Sequence, residues 1–216
     1  MNIPLALRHW LAEFYGAFSL LFVPLAIYRL GHSPFMIALS LALSSLVTMF
    51  TLRHISGAHF NPIVSVALWL DKRLSFSRVG MDVSAQFSGA LFALVSLRLF
   101  GPWVLDTMQG GIQWRFMTIE VFFVYMLVYV MLAVSDQASL KMMAPWIISA
   151  AYGVFAWVSI TSTGYSLVFT QVLFALQQPL AIVRVMLSSL LGTILAVGFY
   201  KVLKYHPEAI KKDDSS

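Results

Sequence analysis

The chain has 216 residues, of which 60% are hydrophobic and 11% are charged, and its formal net charge is +5. Because soluble domains carry roughly a quarter charged residues, this composition excludes an ordinary soluble domain and indicates an integral membrane protein. The absence of cysteine excludes disulfides and thiol chemistry. At roughly 20 apolar residues per helix, the length fits about six spans and leaves no room for a separate soluble domain.

Six apolar stretches are long enough to cross a bilayer. They are 9–28, 34–52, 81–100, 117–135, 144–162 and 179–200. Two shorter amphipathic stretches, 61–70 and about 166–176, cannot cross it and predict half-helices that enter the membrane. Residues 1–206 are therefore expected to form one transmembrane domain, and the charged tail 207–216 is expected to be disordered.

The run 56–62, Ser-Gly-Ala-His-Phe-Asn-Pro, separates the second span from the first half-helix. Asn61 is of a type that caps helices well, and Pro62 is of the type favoured at the first helical position. The run therefore predicts a loop that starts a helix inside the membrane. Non-helical backbone is tolerated there only where protein buries it or where it lines a watery cavity.

Basic residues are concentrated at predicted helix ends that share one side of the membrane. They are Arg8, Lys72, Arg73, Arg78, Lys141, Lys201, Lys204, Lys211 and Lys212, whereas the opposite loops hold Arg29, Arg98, Arg115 and Arg184. By the positive-inside rule both termini are cytoplasmic, which requires an even number of spans. The positive charge is thus assigned to membrane orientation, and no nucleic-acid partner is expected.

The chain divides into two similar halves, about 8–100 and 115–204. Each half places one carboxylate, Glu13 or Glu120, near the start of an apolar span. Glu13 precedes Asn61 by 48 residues, and the same interval from Glu120 reaches Val168 in the second half-helix. Three spans per half force the halves into opposite orientations, which is typical of inverted-repeat channels and transporters.

The run 54–65 resembles the first Asn-Pro-Ala loop of the aquaporins, the major intrinsic protein family, and of the bacterial water channels in particular. Ala12-Glu13-Phe14 with Gly16 is similar to the first-helix signature of that family, and Gln86 with Gly89-Ala90 is similar to its third helix. The resemblance implies an all-α integral membrane fold, an aquaporin-like inverted repeat of six transmembrane helices plus two re-entrant half-helices. It also implies a homotetramer in the lipid bilayer, with no cofactor.

The second loop departs from the family pattern. Without gaps, Val168, Phe169 and Gln171 stand where the family has Asn, Pro and Arg. A shift of two residues would place Ser166 at the Asn position instead. The ungapped alignment keeps both the 48-residue interval and the Thr-Gly-Tyr lead-in at 163–165, but the second signature and its arginine are absent in either alignment.

The resemblance implies four groups of site residues. They are a pore centre (Asn61, Pro62, Val168, Phe169), a selectivity filter (Leu41, Ala156, Tyr165, Gln171), pore-lining histidines (His54, His59) and loop-bracing carboxylates (Glu13, Glu120). Without a guanidinium, this filter no longer repels cations by charge. Its small side chains predict a wider constriction, unless Tyr165 or Phe169 turns inward and closes it. Two histidines without a nearby third ligand are a weak metal signal, so no metal site is expected.

The expected function is passive permeation of water or small uncharged solutes, with a selectivity unlike that of an orthodox water channel. A non-conducting structural or regulatory homologue is one alternative, motivated by the lost second signature. An ion-coupled transporter that uses Glu13 or Glu120 is another, since carboxylates inside membranes are candidates for proton relays. No enzyme is expected, because no nucleophile–base pair or phosphate loop appears. The expected location is the bacterial inner membrane, as a multi-pass protein.

Overall fold

The computed structural model describes residues 3–100, 114–163 and 179–204. Its α-helices are α1 (Leu5–Arg29), α2 (Pro34–Ser56), α3 (Pro62–Leu70), α4 (Phe76–Leu97), α5 (Trp114–Asp136), α6 (Ala144–Thr163) and α7 (Pro179–Lys204). Short 3-10 turns, Arg98–Phe100 and Ala138–Leu140, follow α4 and α5. The predicted second half-helix, 166–176, and the tail 207–216 lie outside the described residues.

Six of these helices, all except α3, are long and apolar enough to cross a membrane. They coincide with the six predicted spans, which confirms that part of the prediction. α4 begins at Phe76, earlier than predicted, because Ser75 caps it by accepting a hydrogen bond from the backbone N–H of Arg78. α2 runs to Ser56, beyond its predicted end, and stops where Gly57 adopts a φ of +96°.

The two halves use the same pairing of helices. In the first half α1 packs against α2 and α4, and in the second half α5 packs against α6 and α7. α2 and α6 pack against each other and join the halves, while α3 contacts α4, α5 and α7. Helices α1, α2 and α4 therefore correspond to α5, α6 and α7, in agreement with the repeat in the sequence.

Glycines allow the paired helices to approach closely. A Cβ at Gly89 on α4 would collide with the carbonyl oxygen of Phe14 on α1. A Cβ at Gly192 on α7 would lie 2.7 Å from the carbonyl oxygen of Val121 on α5. These contacts lie in the two corresponding pairs, so the same device sets the helix separation in each half.

A buried apolar cluster lies between the halves, around the start of α3. Its members, here called the central cluster, are Leu20, Ala38, Leu41, Met49, Ala58, Phe60, Val64, Leu127, Met131, Ile148, Tyr152 and Ala156. The outside of the bundle is also apolar, and on α7 it exposes Leu187, Leu190, Leu191 and Ile194. An exposed apolar surface of this kind fits contact with lipid.

Candidate functional site

The loop that leads into α3 is irregular backbone buried inside a helix bundle. Ala58 and Phe60 both adopt left-handed conformations, with φ of +61° and +55°. For residues that carry a Cβ, this conformation costs roughly 1–2 kcal/mol each. Both side chains are nevertheless buried in the central cluster. The surrounding structure must therefore hold the loop in this shape.

The carboxylate of Glu13 on α1 accepts four hydrogen bonds around this loop. Oε1 accepts from the backbone N–H of His59 at 3.1 Å and from the hydroxyl of Ser56 at 2.6 Å. Oε2 accepts from the backbone N–H of Phe60 at 2.7 Å and from Nε2 of Gln86 at 2.7 Å. Glu13 is fully buried, so these donors stabilise an ionised carboxylate that would otherwise be costly to bury.

A second polar chain supports the same loop from α4. His59 Nδ1 lies 2.8 Å from Oδ2 of Asp82, and the other oxygen of Asp82 accepts from Nε of Arg78 at 2.8 Å. Arg78 also donates from Nη2 to the carbonyl oxygen of Ser56, at 2.7 Å. Its Nη1 lies 2.7 Å from Nδ1 of His9 on α1. The buried Asp82 is thus matched by a cation one helical turn away.

Arg78 and Asp82 support the loop of the candidate site, and the sequence interpretation missed them. It counted Arg78 only toward membrane orientation, and it placed the start of the third span at residue 81. The available signal was the opposite charge of Arg78 and Asp82 at i and i+4, which places them on one helix face.

Phe60 seals the loop against α1. Its ring is fully buried and packs directly on Gly16, where a Cβ would collide with the ring. The glycine in the Ala-Glu-Phe-Tyr-Gly run therefore provides the space for this ring. One turn of α1 thus supplies both the carboxylate acceptor and the packing surface for the loop.

Asn61 caps α3 and directs its amide toward α6. Its Oδ1 accepts from the backbone N–H of Ile63 at 3.1 Å, and Pro62 occupies the first turn as predicted. Its Nδ2 lies 3.4 Å from the hydroxyl oxygen of Tyr152. Asn61 is fully buried at the N-terminus of α3, where the helix dipole is positive.

The other predicted site residues lie in several environments. Leu41 and Ala156 are buried in the central cluster, and Glu120 is buried in α5. His54 is exposed near the end of α2, whereas His59 is partly buried in the loop. The predicted pore-centre residues Val168 and Phe169 and the predicted filter residues Tyr165 and Gln171 lie outside the described residues.

Two adjoining cavities lead toward the loop from one end of the bundle. The inner cavity, of about 100 Å³, is bounded by His59, Val64 and Met131 among others. The outer cavity, of about 250 Å³, reaches Arg53 and Lys141. The two cavities share a border formed by Gly57, Ala58, Ser135 and Ile148. Together they form a vestibule, basic at its outer part and mostly apolar at its inner part.

Polar contacts fix the other end of α3 to α5 and α7. Arg73 donates to Asp71 at 2.6 Å, to the hydroxyl of Ser135 at 2.9 Å and to that of Tyr200 at 2.8 Å. Lys201 donates to the carbonyl oxygen of Leu70 at 2.8 Å. Together with the contacts of the loop at its N-terminus, they hold the half-helix at both ends. Among the described residues, no group of three or more His, Cys, Asp or Glu side chains could hold a metal ion.

Comparison with known proteins agrees with the family resemblance of the sequence motifs. The family model described as "Major intrinsic protein" matches residues 2–175. Glycerol uptake facilitator protein-like 6 of Lactiplantibacillus plantarum is 32% identical over 95 residues, covering 44% of this chain and 44% of that protein. Aquaporin NIP1-1 of Zea mays is 31% identical over 135 residues, covering 58% of this chain and 48% of that protein. The chain thus spans less than half the length of each of these relatives.

A solved structure extends the comparison to nearly the whole fold. The structure of the aquaglyceroporin from Plasmodium falciparum matches with a TM-score of 0.74 at 16% identity, covering 90% of this chain and 95% of that one. Six apolar helices and a half-helix capped by Asn-Pro define a multi-pass membrane protein with the aquaporin fold. The chain belongs to the major intrinsic protein family.

Proposed function

We propose that this protein is a membrane channel for the passive permeation of water or small uncharged solutes. The observation that carries the proposal is the position of Asn61. Its Oδ1 caps α3, which leaves its Nδ2 directed away from the helix. A buried amide donor close to the inner cavity, which its neighbours His59 and Val64 border, is suited to a solute that offers a lone pair, such as water or an alcohol.

The electrostatics of this site favour neutral solutes. The N-terminus of α3 contributes up to about half a positive charge at Asn61, which disfavours cations near the pore centre. We propose an unorthodox selectivity, because Gln171 stands where the family has its filter arginine and Val168 where it has its second asparagine. The filter of Leu41, Ala156, Tyr165 and Gln171 would then be neutral and would select mainly by width.

The contacts of Glu13 favour a channel over an ion-coupled transporter. All four hydrogen bonds to this carboxylate come from donors that hold the loop. An acceptor occupied in this way suits a fixed structural anion rather than a proton relay. We propose that Glu13 braces the first loop and that Glu120 braces the second.

The charge distribution supports an orientation and a location. Arg53 and Lys141 border the outer cavity, and the positive-inside rule assigns such a side to the cytoplasm. We propose that the vestibule and both termini are cytoplasmic, in a bacterial inner membrane. By family resemblance the protein would be a homotetramer, with lipid and a small uncharged solute as its partners.

Stopped-flow light scattering on proteoliposomes tests the proposed permeation. Osmotic water loss and glycerol entry are measured for the wild type and for Asn61→Asp. Aspartate caps a helix as well as asparagine does, so this variant keeps α3 while it replaces the amide donor by a carboxylate. We expect wild-type flux above that of empty liposomes and an altered flux in the folded variant. Flux equal to that of empty liposomes for both solutes would contradict the proposal.

A non-conducting homologue is the second candidate. The observation that favours it is the burial of Leu41, Tyr152 and Ala156 in one cluster, with exposures of 1%, 0% and 0%. Such packing would be found in a closed channel as well as in a structural protein. In a closed channel, substitution of a cluster residue should open a route for solute, whereas in a structural protein it should not.

A further inference from the structure

Tyr152 is a polar residue in the central cluster that no family signature of the sequence assigns. Its hydroxyl oxygen lies 3.4 Å from Nδ2 of Asn61, across the space between α6 and the start of α3. Neither side chain exposes surface to water, since both residues are 0% exposed. The proposed central donor is therefore covered by a tyrosine in this conformation.

The position of Tyr152 on α6 places it within the proposed conduction path. Ile148, Tyr152 and Ala156 follow one another at intervals of four residues, so they lie on one helix face, about 6 Å apart along the axis. Ile148 borders both cavities of the vestibule. Ala156 is the filter residue implied by the family resemblance. Tyr152 thus stands between the vestibule and the filter.

Among the described residues, apolar side chains surround the ring at this level. The central cluster brings Tyr152 together with Leu41 of α2, Phe60 of the loop and Leu127 of α5. The vestibule cavities reach Ile148, but Tyr152 is not among the residues that border them. A water molecule that enters the vestibule therefore meets this cluster before it reaches Asn61.

We propose that Tyr152 is the gate of the channel. The ring blocks the route beside Asn61, and the tyrosine hydroxyl accepts the hydrogen bond that Asn61 would otherwise donate to solute. Rotation of the ring away from Asn61 opens the route and frees the amide. The gate rests on the proposed channel function, which it deepens by naming the residue that controls flow.

The Asn61–Tyr152 contact has the geometry of a weak hydrogen bond, as expected for a bond that breaks each time the channel opens. Its 3.4 Å separation is longer than the usual 2.7–3.2 Å of a hydrogen bond from nitrogen to oxygen. Such a bond is readily exchanged for one to water or to a solute hydroxyl. The tyrosine hydroxyl also supplies a second polar group beside Asn61.

Two substitutions of Tyr152 distinguish the effect of its ring on the flux from the effect of its hydroxyl. Tyr152→Ala removes both, and we expect water flux to rise several-fold above the wild type. Tyr152→Phe keeps the ring and removes one neutral hydrogen bond, which raises the population of the rotated ring, and so the flux, by roughly twofold to tenfold. Both are measured by stopped-flow light scattering at equal protein density, after folding is verified by size-exclusion chromatography.

Matched controls lie in other parts of the bundle. Tyr129→Phe also removes a tyrosine hydroxyl, from a ring that packs against Tyr125 and Phe199 between α5 and α7. Leu21→Ala truncates a fully buried side chain in the apolar cluster between α1 and α4. Neither side chain belongs to the central cluster, so we expect wild-type flux from both.

Thiol labelling tests the barrier without reference to the solute. The chain has no cysteine, so Ala156→Cys introduces a unique thiol beyond the gate. Inverted membrane vesicles expose the proposed cytoplasmic side to a small membrane-impermeant thiol reagent. We expect slow labelling of Ala156→Cys alone and labelling at least several-fold faster when Tyr152→Ala is added. Ile148→Cys, on the vestibule side, should label at similar rates with and without Tyr152→Ala.

The possible results distinguish a failure of the proposed gate from a failure of the proposed channel function. Faster labelling and faster flux in the Tyr152 variants support both proposals. A conducting wild type whose flux and labelling are unchanged by either Tyr152 substitution overturns the gate and leaves the channel. Faster labelling with no water or glycerol flux in any variant supports the barrier at Tyr152 and overturns the proposed permeation. If Tyr152→Ala does not fold, Tyr152→Phe decides, and wild-type flux and labelling in it overturn the gate.

Discussion

Replacement of Glu13 by glutamine is expected to destabilise the loop that carries Asn61. The carboxylate accepts two hydrogen bonds on each oxygen, and glutamine can retain only the two on its single oxygen. Two bonds to a charged acceptor are lost, at about 1.5–3 kcal/mol each. Gln86, whose buried Oε1 has no hydrogen-bond partner among the described residues, can recover about 1 kcal/mol by turning its amide over. The net loss for Glu13→Gln is then about 2–5 kcal/mol.

Thermal unfolding in detergent, followed by tryptophan fluorescence, measures this loss. For a chain of this length the expected fall in apparent Tm is roughly 4–20 °C. Asp136→Asn is the control, since it makes the same acid-to-amide change at an exposed residue that pairs with Lys204 and Arg73, and it should lower Tm clearly less. An apparent Tm for Glu13→Gln equal to the wild-type value would refute the reasoning. Retained stability combined with lost pH-dependent flux would point to a proton relay instead.

Two further substitutions test the support of the loop by thermal unfolding. Gly16→Ala drives a methyl group into the ring of Phe60 and should cost about 1–3 kcal/mol. Gly198→Ala, where a Cβ meets open space inside a helix, should be neutral or stabilising, and equal effects of the two would contradict the packing argument. Arg78→Ala leaves the buried Asp82 without its cation and should lower the free energy of unfolding by about 3–5 kcal/mol. If Arg78 and Asp82 are coupled, Arg78→Ala should cost less in a protein that already carries Asp82→Asn.

Much of the fold could be predicted from the sequence because its signals are local. The length of an apolar stretch identifies a membrane-spanning helix, and the structure contains the six spans that were predicted in this way. Asn61 followed by Pro62 specifies a helix start, and α3 begins there. Helix ends were predicted less accurately. The start of α4 depends on the cap at Ser75, a polar residue that an apolar count does not detect.

The polar network around the loop was harder to predict because it is not local. Sequence spacing marked Glu13 as a buried acid, but its four donors come from residues 43 to 73 positions away. The sequence pattern does not distinguish His54 from His59, although one is exposed on α2 and the other is held by Asp82. The sequence did not predict Tyr152 as a site residue, because it matches no family signature. Its proximity to Asn61 arises only when α6 packs against α2.

The left-handed loop has a consequence for the order in which the first half can assemble. During synthesis, Glu13 has already been made when Ala58 and Phe60 emerge, but Arg78, Asp82 and Gln86 on α4 have not. Until α4 joins α1, the carboxylate lacks the bond from Gln86, and His59 lacks its partner Asp82. The strained backbone therefore cannot have its full set of hydrogen bonds while the chain ends before α4. The re-entrant segment reaches its final shape only after a helix that follows it in the chain has been inserted.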